Sequence, residues 1–92
     1  MNYTTTIPDT DENRATALAS LRKNYLILDS ILTSGFHFVT ITDEIIESVI
    51  GMTPETYLSS CGMPEDGAVE EYLDVATLRK IESKVLERIT NR

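Results

Sequence analysis

The sequence predicts a single, mainly helical domain with a small β-sheet, which is an α+β fold. The 92 residues are 41% apolar and 25% charged, a composition typical of one soluble domain with its own hydrophobic core. Apolar residues recur at helical spacing near both ends of the chain. Two short segments, 36–41 and 69–73, fit strands, the first because it is aromatic and β-branched. The expected order is therefore helix–strand–helix–helix–strand–helix.

The first long helix follows a polar, Thr-rich start. Residues 1–8 are expected to form a tail or a short edge strand, and residues 9–92 the domain. Asp9 is the predicted N-cap, because Glu12 three residues later completes a capping-box spacing. The helix is expected to run to about Thr33. Its predicted apolar face consists of Leu18, Leu21, Tyr25, Leu28 and Leu32, widened near the helix end by Leu26, Ile27 and Ile31.

Two short helices are expected in the middle of the chain. Thr42 is predicted to cap the first of them, which ends at Gly51. Thr53 and Pro54 open the second as an N-cap followed by proline at the first helical position. These signals place the boundaries of both helices.

The last helix is expected after an irregular turn and the second strand. Asp74 is its predicted N-cap, since an apolar pattern with helical spacing begins at the next residue. The predicted apolar face consists of Val75, Leu78, Ile81, Val85 and Ile89, with Leu86 beside it. This helix would form the second wall of the core.

Charge is unevenly distributed along the chain. Fifteen acidic residues against eight basic ones give a net charge of −7, and no Lys or Arg occurs from Asn24 to Leu78. Such a segment repels polyphosphates and attracts basic protein surfaces, although solubility alone is a simpler interpretation. The predicted partner-binding residues are Asp43, Glu44, Glu47, Glu55, Glu65, Asp66, Glu70, Glu71 and Asp74.

Enzymatic function is not expected. One His and one Cys cannot supply the four ligands of a structural zinc site, and no phosphate-binding or nucleophile motif is present. We therefore predict no catalytic residue, no metal and no cofactor. No apolar run is long enough to cross a membrane and no secretory signal is visible, so a cytoplasmic location is expected.

Residues 40–57 carry a pattern of apolar residues around a glycine, at Ile46, Ile50, Gly51, Met52, Thr53 and Tyr57. This pattern resembles the helix-turn-helix of MerR-like and phage-excisionase-like regulators. Segments 62–64, 72–74 and 78–81 are similar to the wing and the following helix of the same families. The resemblance implies a winged helix-turn-helix architecture, whose usual activity is DNA binding.

The residues depart from that pattern where DNA would be contacted. Glu47 stands where a small residue usually packs between the two helices, and the expected recognition helix, 53–61, has no basic residue. The expected wing, 65–73, carries four carboxylates. Because duplex binding depends on Lys and Arg neutralising phosphates, the architecture is expected but the activity is not.

Two functional hypotheses follow. In the first, the chain is a small acidic protein-interaction module, such as a phage-type inhibitor or an adaptor, that occupies the basic nucleic-acid-binding surface of a partner protein in the cytoplasm (the host cytoplasm for a phage protein). In the second, it is a winged-helix DNA-binding regulator that uses the basic last helix, with Arg79, Lys80, Lys84, Arg88 and Arg92. Under either hypothesis we expect a homodimer formed through the first or last helix, and no membrane contact.

Overall fold

The computed structural model describes residues 8–32 and 35–91, and the side chains of 8–32 and 38–91. Its elements are helices α1 (Asp11–Ile31), α2 (Gly35–Ile50), α3 (Pro54–Ser60) and α4 (Val75–Thr90), with a 3₁₀ turn, η1 (Val69–Tyr72), before α4. No strand occurs within these ranges, so the predicted α+β winged-helix-like fold is wrong. The predicted tail at 1–8 and the side chains of Phe36 and His37 lie outside the described residues, apart from Pro8.

The predicted strand 36–41 is the first part of α2. Its apolar residues continue into the next segment at helical spacing, and Ile45 and Ile46 are buried on the helix face that results. Thr42, the predicted N-cap, lies within the helix and is 7% exposed. Its hydroxyl lies 3.0 Å from the backbone oxygens of Phe38 and of Val39, so the buried side chain is satisfied. Burial along a continuous helical face therefore outweighs the strand propensity of 36–41.

The second predicted strand, 69–73, is replaced by η1. With no strand at 36–41 to pair with, a strand here would leave its backbone groups without partners. The 3₁₀ turn buries Val69 and the adjoining Leu73 and leaves Glu71 exposed. The expected wing is therefore a turn-rich connection that ends in η1.

The start of α1 differs by one residue from the predicted capping. Thr10 is the N-cap, and its hydroxyl accepts a hydrogen bond of 3.1 Å from the backbone N–H of Asn13. Asp9 instead accepts a hydrogen bond of 3.2 Å from the backbone N–H of Val75 through Oδ1, and one of 3.2 Å from Arg14 through Oδ2. Through these two hydrogen bonds, Asp9 connects the first turn of α1 with the first turn of α4.

Helices α1 and α4 run side by side in the same direction. Their first turns meet at Asp9, and further along both helices Ser20 and Asn24 of α1 donate hydrogen bonds to Glu82 of α4. The bond from Asn24 Nδ2 to Glu82 Oε2 is 2.8 Å long. Since parallel neighbours need a connection that returns along the pair, α2, α3 and η1 form that connection.

The core lies between α1, α2 and α4. Its fully buried side chains of largest volume are Leu21, Leu28, Leu58, Val75, Leu78, Ile81 and Val85. The predicted apolar face of α4 is confirmed except that Ile89 is only half-buried. The predicted widening of the α1 face is wrong at Leu26, which is 72% exposed, and at Ile27, which is 40% exposed.

The predicted short-range signals for α3 and α4 are confirmed. Thr53 caps α3 by accepting a hydrogen bond of 3.2 Å from the N–H of Thr56, and Pro54 is the first helical residue. Asp74 caps α4 in the same way, accepting a 3.2 Å hydrogen bond from the N–H of Thr77. Gly51 ends α2 with a φ of 80°, a conformation that glycine adopts at little cost.

Candidate protein-interaction surface

Carboxylates from three successive elements meet at one surface, which we call the acidic face. It consists of Asp43 of α2, Glu55 of α3, and Glu70 and Glu71 of η1. The face forms because α2 packs against α3 and α3 packs against η1. Elements that follow one another closely in an acidic segment thus bring their carboxylates within electrostatic reach of one another.

Mutual repulsion and burial disfavour the charged forms of two of these groups. Burial raises the pKa of Asp43, and the neighbouring Glu55 raises it further. Burial also raises the pKa of Glu70; a backbone hydrogen bond and Arg22 oppose this rise, whereas Asp43 and Glu71 add to it. A cation that approaches either group would stabilise its charged form.

Among the described residues, one cation forms an ion pair with this face. Arg22 of α1 places Nη2 3.7 Å from Oε2 of Glu71, and both side chains are 55% exposed. An exposed pair of this kind is weak, since water screens both charges. Ion pairs within the described residues thus leave most of the negative charge of the acidic face uncompensated.

Tyr25 of α1 packs next to the acidic face. Its ring meets Phe38 edge-on, with centroids 5.7 Å apart. Its buried hydroxyl has no hydrogen-bond partner among the described residues. Burial raises the pKa of this hydroxyl, and the charges of Glu70 and Asp43 raise it further. The apolar body of this ring is one source of the burial that the neighbouring carboxylates experience.

The other predicted partner-binding residues lie elsewhere or serve the fold. Glu44 is exposed and lines a groove between α2 and α4. Asp74 is the N-cap of α4, and the hydrogen bonds that it accepts from Thr77 lower the pKa of its carboxyl group. Glu47 is exposed on α2, and Glu65 and Asp66 are exposed in the connection before η1. Four of the nine predicted carboxylates therefore interact electrostatically within one cluster; Asp74 is a helix cap, and Glu44, Glu47, Glu65 and Asp66 are exposed.

The groove between α2 and α4 was not foreseen from the sequence. It has a volume of about 510 Å³ and continues into a second hollow of about 390 Å³, with Ser48 and Lys84 lining both. On α4, Arg79 pairs with Glu82 at 2.8 Å. Lys84 has no ion pair within the described part of the chain, although Glu87 lies nearby on the same helix.

Metal ligation and membrane insertion have no visible basis in the described ranges. No three His, Cys, Asp or Glu side chains there are arranged to hold a metal ion. No helix described in the structure combines the length and the apolar character that crossing a bilayer requires. Comparison of the chain with family models, with curated proteins and with solved structures finds no match.

Proposed function

We propose that this chain is a small protein-interaction module that binds a basic surface of a partner protein through its acidic face. The observation that carries the proposal is the convergence of Asp43, Glu55, Glu70 and Glu71 around a single weak ion pair to Arg22. A partner that supplies Lys or Arg would stabilise the charged carboxylates and gain affinity from complementary charge.

The chemistry of the partner follows from the sign and the spread of this charge. Carboxylates on separate elements can occupy a basic groove that otherwise holds nucleic-acid phosphates. We therefore propose a nucleic-acid-binding protein as the partner class, with the chain acting as an inhibitor or an adaptor that works by binding rather than by catalysis. A cytoplasmic location is part of this proposal, because the lone Cys61 cannot form an internal disulfide.

The alternative DNA-binding regulator has less support. The described chain has no sheet and hence no wing to place in a groove of DNA. On α4, Arg79 is paired with Glu82, and Glu87 lies among the remaining cations. A duplex approaching α4 would meet this carboxylate together with the cations.

The test reverses charge on the acidic face and compares capture of partners. The double variant Glu55→Lys, Glu71→Lys is used as bait in a nuclease-treated bacterial lysate beside the wild-type chain. A matched control, Glu12→Lys with Asp29→Lys, changes the net charge by the same amount at exposed positions outside the face and outside the groove between α2 and α4. Circular dichroism establishes that all baits are folded.

The proposal expects a protein that is retained by the wild type and the control and lost by the acidic-face variant. Retention by all three baits, or equal loss from both variants, would show that the acidic face does not direct binding. In a mobility-shift assay at low salt, we expect that the chain does not retard duplex DNA. Retardation that disappears in Lys80→Ala would favour the DNA-binding alternative instead.

A further inference from the structure

The groove between α2 and α4 is a second surface, separate from the acidic face. Its floor is formed by Ile45, which is 4% exposed, and by the half-buried Val49. Its α4 wall carries three exposed cations, Lys80, Lys84 and Arg88. An apolar floor beside a charged wall is typical of grooves that bind one face of a peptide segment.

The three cations have no ion-pair partner among the described residues. The ion pairs found there involve only Arg14, Arg22 and Arg79. Lys80, Lys84 and Arg88 follow one another at intervals of four residues, so they form one stripe along α4. This stripe is the largest set of uncompensated positive charge that the described chain presents on one element.

Two carboxylates, Glu44 and Glu87, also line the groove. At 100° per residue, Arg88, Lys84 and Lys80 lie roughly 20°, 60° and 100° from the buried Ile81 around α4, on the same side of the helix as Glu87 at roughly 120°. On α2, Glu44 lies farther around the helix from Ile45 than Ser48 does. Lys84 and Arg88 are therefore closer to the buried face of α4 than Glu87 is, and Lys80 lies beside Glu87.

We propose that this groove binds an acidic amphipathic segment of a partner protein. The stripe from Lys80 to Arg88, extended to Asn91, spans roughly 16 Å at 1.5 Å per residue, which matches three turns of a helix. Apolar side chains of the segment pack on the groove floor, and its carboxylates pair with the cationic stripe. The proposal is independent of the acidic face, which lies on α2, α3 and η1.

The probe is a fluorescein-labelled eleven-residue peptide with Leu at positions 1, 4 and 8 and Glu at most others. Fluorescence anisotropy measures its binding to the wild-type chain. A second peptide with Lys in place of each Glu tests the sign of the charge. Backbone amide chemical shifts map the site, and we expect perturbations at Ser48, Val49 and Lys84.

Lys84→Gln is expected to weaken peptide binding by about fivefold, and Lys84→Gln with Arg88→Gln by about twentyfold. Lys23→Gln is the matched control for the single variant, because Lys23 is an exposed cation on α1 without an ion pair among the described residues. It should bind within about twofold of the wild type. Glu55→Lys with Glu71→Lys should leave this affinity intact, which separates the groove from the acidic face.

Four results would overturn the proposal. One is equal or tighter binding of the Lys peptide, and another is a set of perturbed amides that omits α2 and α4. A third is retardation of duplex DNA that Lys84→Gln abolishes, which would assign the stripe to phosphates. The last is a doubled mass in light scattering that the Lys84→Gln, Arg88→Gln variant returns to a monomer, which would make a second copy the occupant.

Discussion

Glu82 is the one charged residue that is buried in the part of the chain that the structure describes. It is 9% exposed and accepts hydrogen bonds from Ser20, from Asn24 at 2.8 Å and from Arg79 at 2.8 Å. Burial raises the pKa of Glu82. A larger opposite effect comes from the hydrogen bonds of Ser20, Arg79 and Asn24 and from the charge of Arg79, so the net shift of the pKa is downward. The charged form is therefore the one that the fold favours.

Removing this carboxylate should be costly. Glu82→Ala leaves Ser20 and Asn24 without their acceptor at the contact of α1 and α4, and we expect a loss of about 2–4 kcal/mol in the free energy of unfolding. Glu87→Ala removes the same charge from an exposed position of the same helix and should change it by about 0.5 kcal/mol or less. Urea denaturation at neutral pH measures both.

The same variant carries a pH dependence. Because the pKa of Glu82 is lower in the folded chain than its ordinary value of 4.5, its contribution is complete above that value and is lost as pH falls through the folded pKa. The difference between wild type and Glu82→Ala should therefore narrow on acidification below about pH 4. A difference that stays constant over this range would show that the carboxylate charge is not what stabilises the contact.

At the scale of elements, the turn between α2 and α3 depends on one backbone conformation. Gly51 has a φ of 80°, and a Cβ placed there would meet nothing within 4 Å. The requirement for glycine is thus conformational, with no steric contribution from neighbours. Only Met52 separates Gly51 from Thr53, the N-cap of α3, so the turn fixes where Glu55 stands relative to Asp43.

Gly51→Ala should therefore destabilise the chain by about 1–2 kcal/mol, the cost of a left-handed conformation for a residue with a side chain. Gly51→Asn should cost less, because asparagine tolerates this region better. Thermal or urea denaturation of the two variants gives the comparison. Equal losses for Ala and Asn would point to a cause other than the backbone conformation.

The sequence predicts the boundaries of a helix correctly where the interactions that set them are local. The Thr53 and Asp74 caps and the Gly51 stop act within about four residues, so their residue types alone identify them. The segment 36–41 has strand propensity, but its state is decided by burial of α2 against helices far along the chain. Local spacing predicts Asp9 as the N-cap of α1, because its hydrogen bond with Val75 joins residues far apart in the chain and is not visible in the sequence.

The acidic face was predictable in part for the same reason. Its four carboxylates come from neighbouring elements, so a charge count along the chain includes them. Which way each points depends on helix register: Asp43 belongs to the acidic face, whereas the adjacent Glu44 lies in the α2–α4 groove. The ion pair of Arg22 with Glu71 joins residues in different parts of the sequence and could not be foreseen.

At the scale of the whole molecule, charge and exposed apolar residues are separated. Asp43, Glu55, Glu70 and Glu71 form the acidic face, whereas the described cations without an ion pair, apart from Lys23, form the α4 stripe. Leu26 of α1 is 72% exposed and Leu86 of α4 is 44% exposed. Val39 of α2 is also 56% exposed, so exposure of apolar residues does not single out the first or last helix, and dimerisation through either stays a prediction.

Light scattering at micromolar concentration tests this prediction. We expect the mass of a dimer, and we expect Leu26→Gln to reduce it to that of a monomer without lowering helicity, because the side chain contributes little to the core. Leu86→Gln is the corresponding variant of the last helix and shows which of the two helices forms the contact. A monomer mass for the wild-type chain would contradict the prediction.

The parallel contact of α1 with α4 has a consequence for biosynthesis. Ser20 and Glu82, which join the two helices, are 62 positions apart. During synthesis from the N-terminus, the apolar surface of Leu21 and Leu28 therefore stays uncovered until α4 has left the ribosome. Nascent chains of this protein should thus acquire their packed state late and nearly all at once, and until then chaperones have an apolar helix to hold.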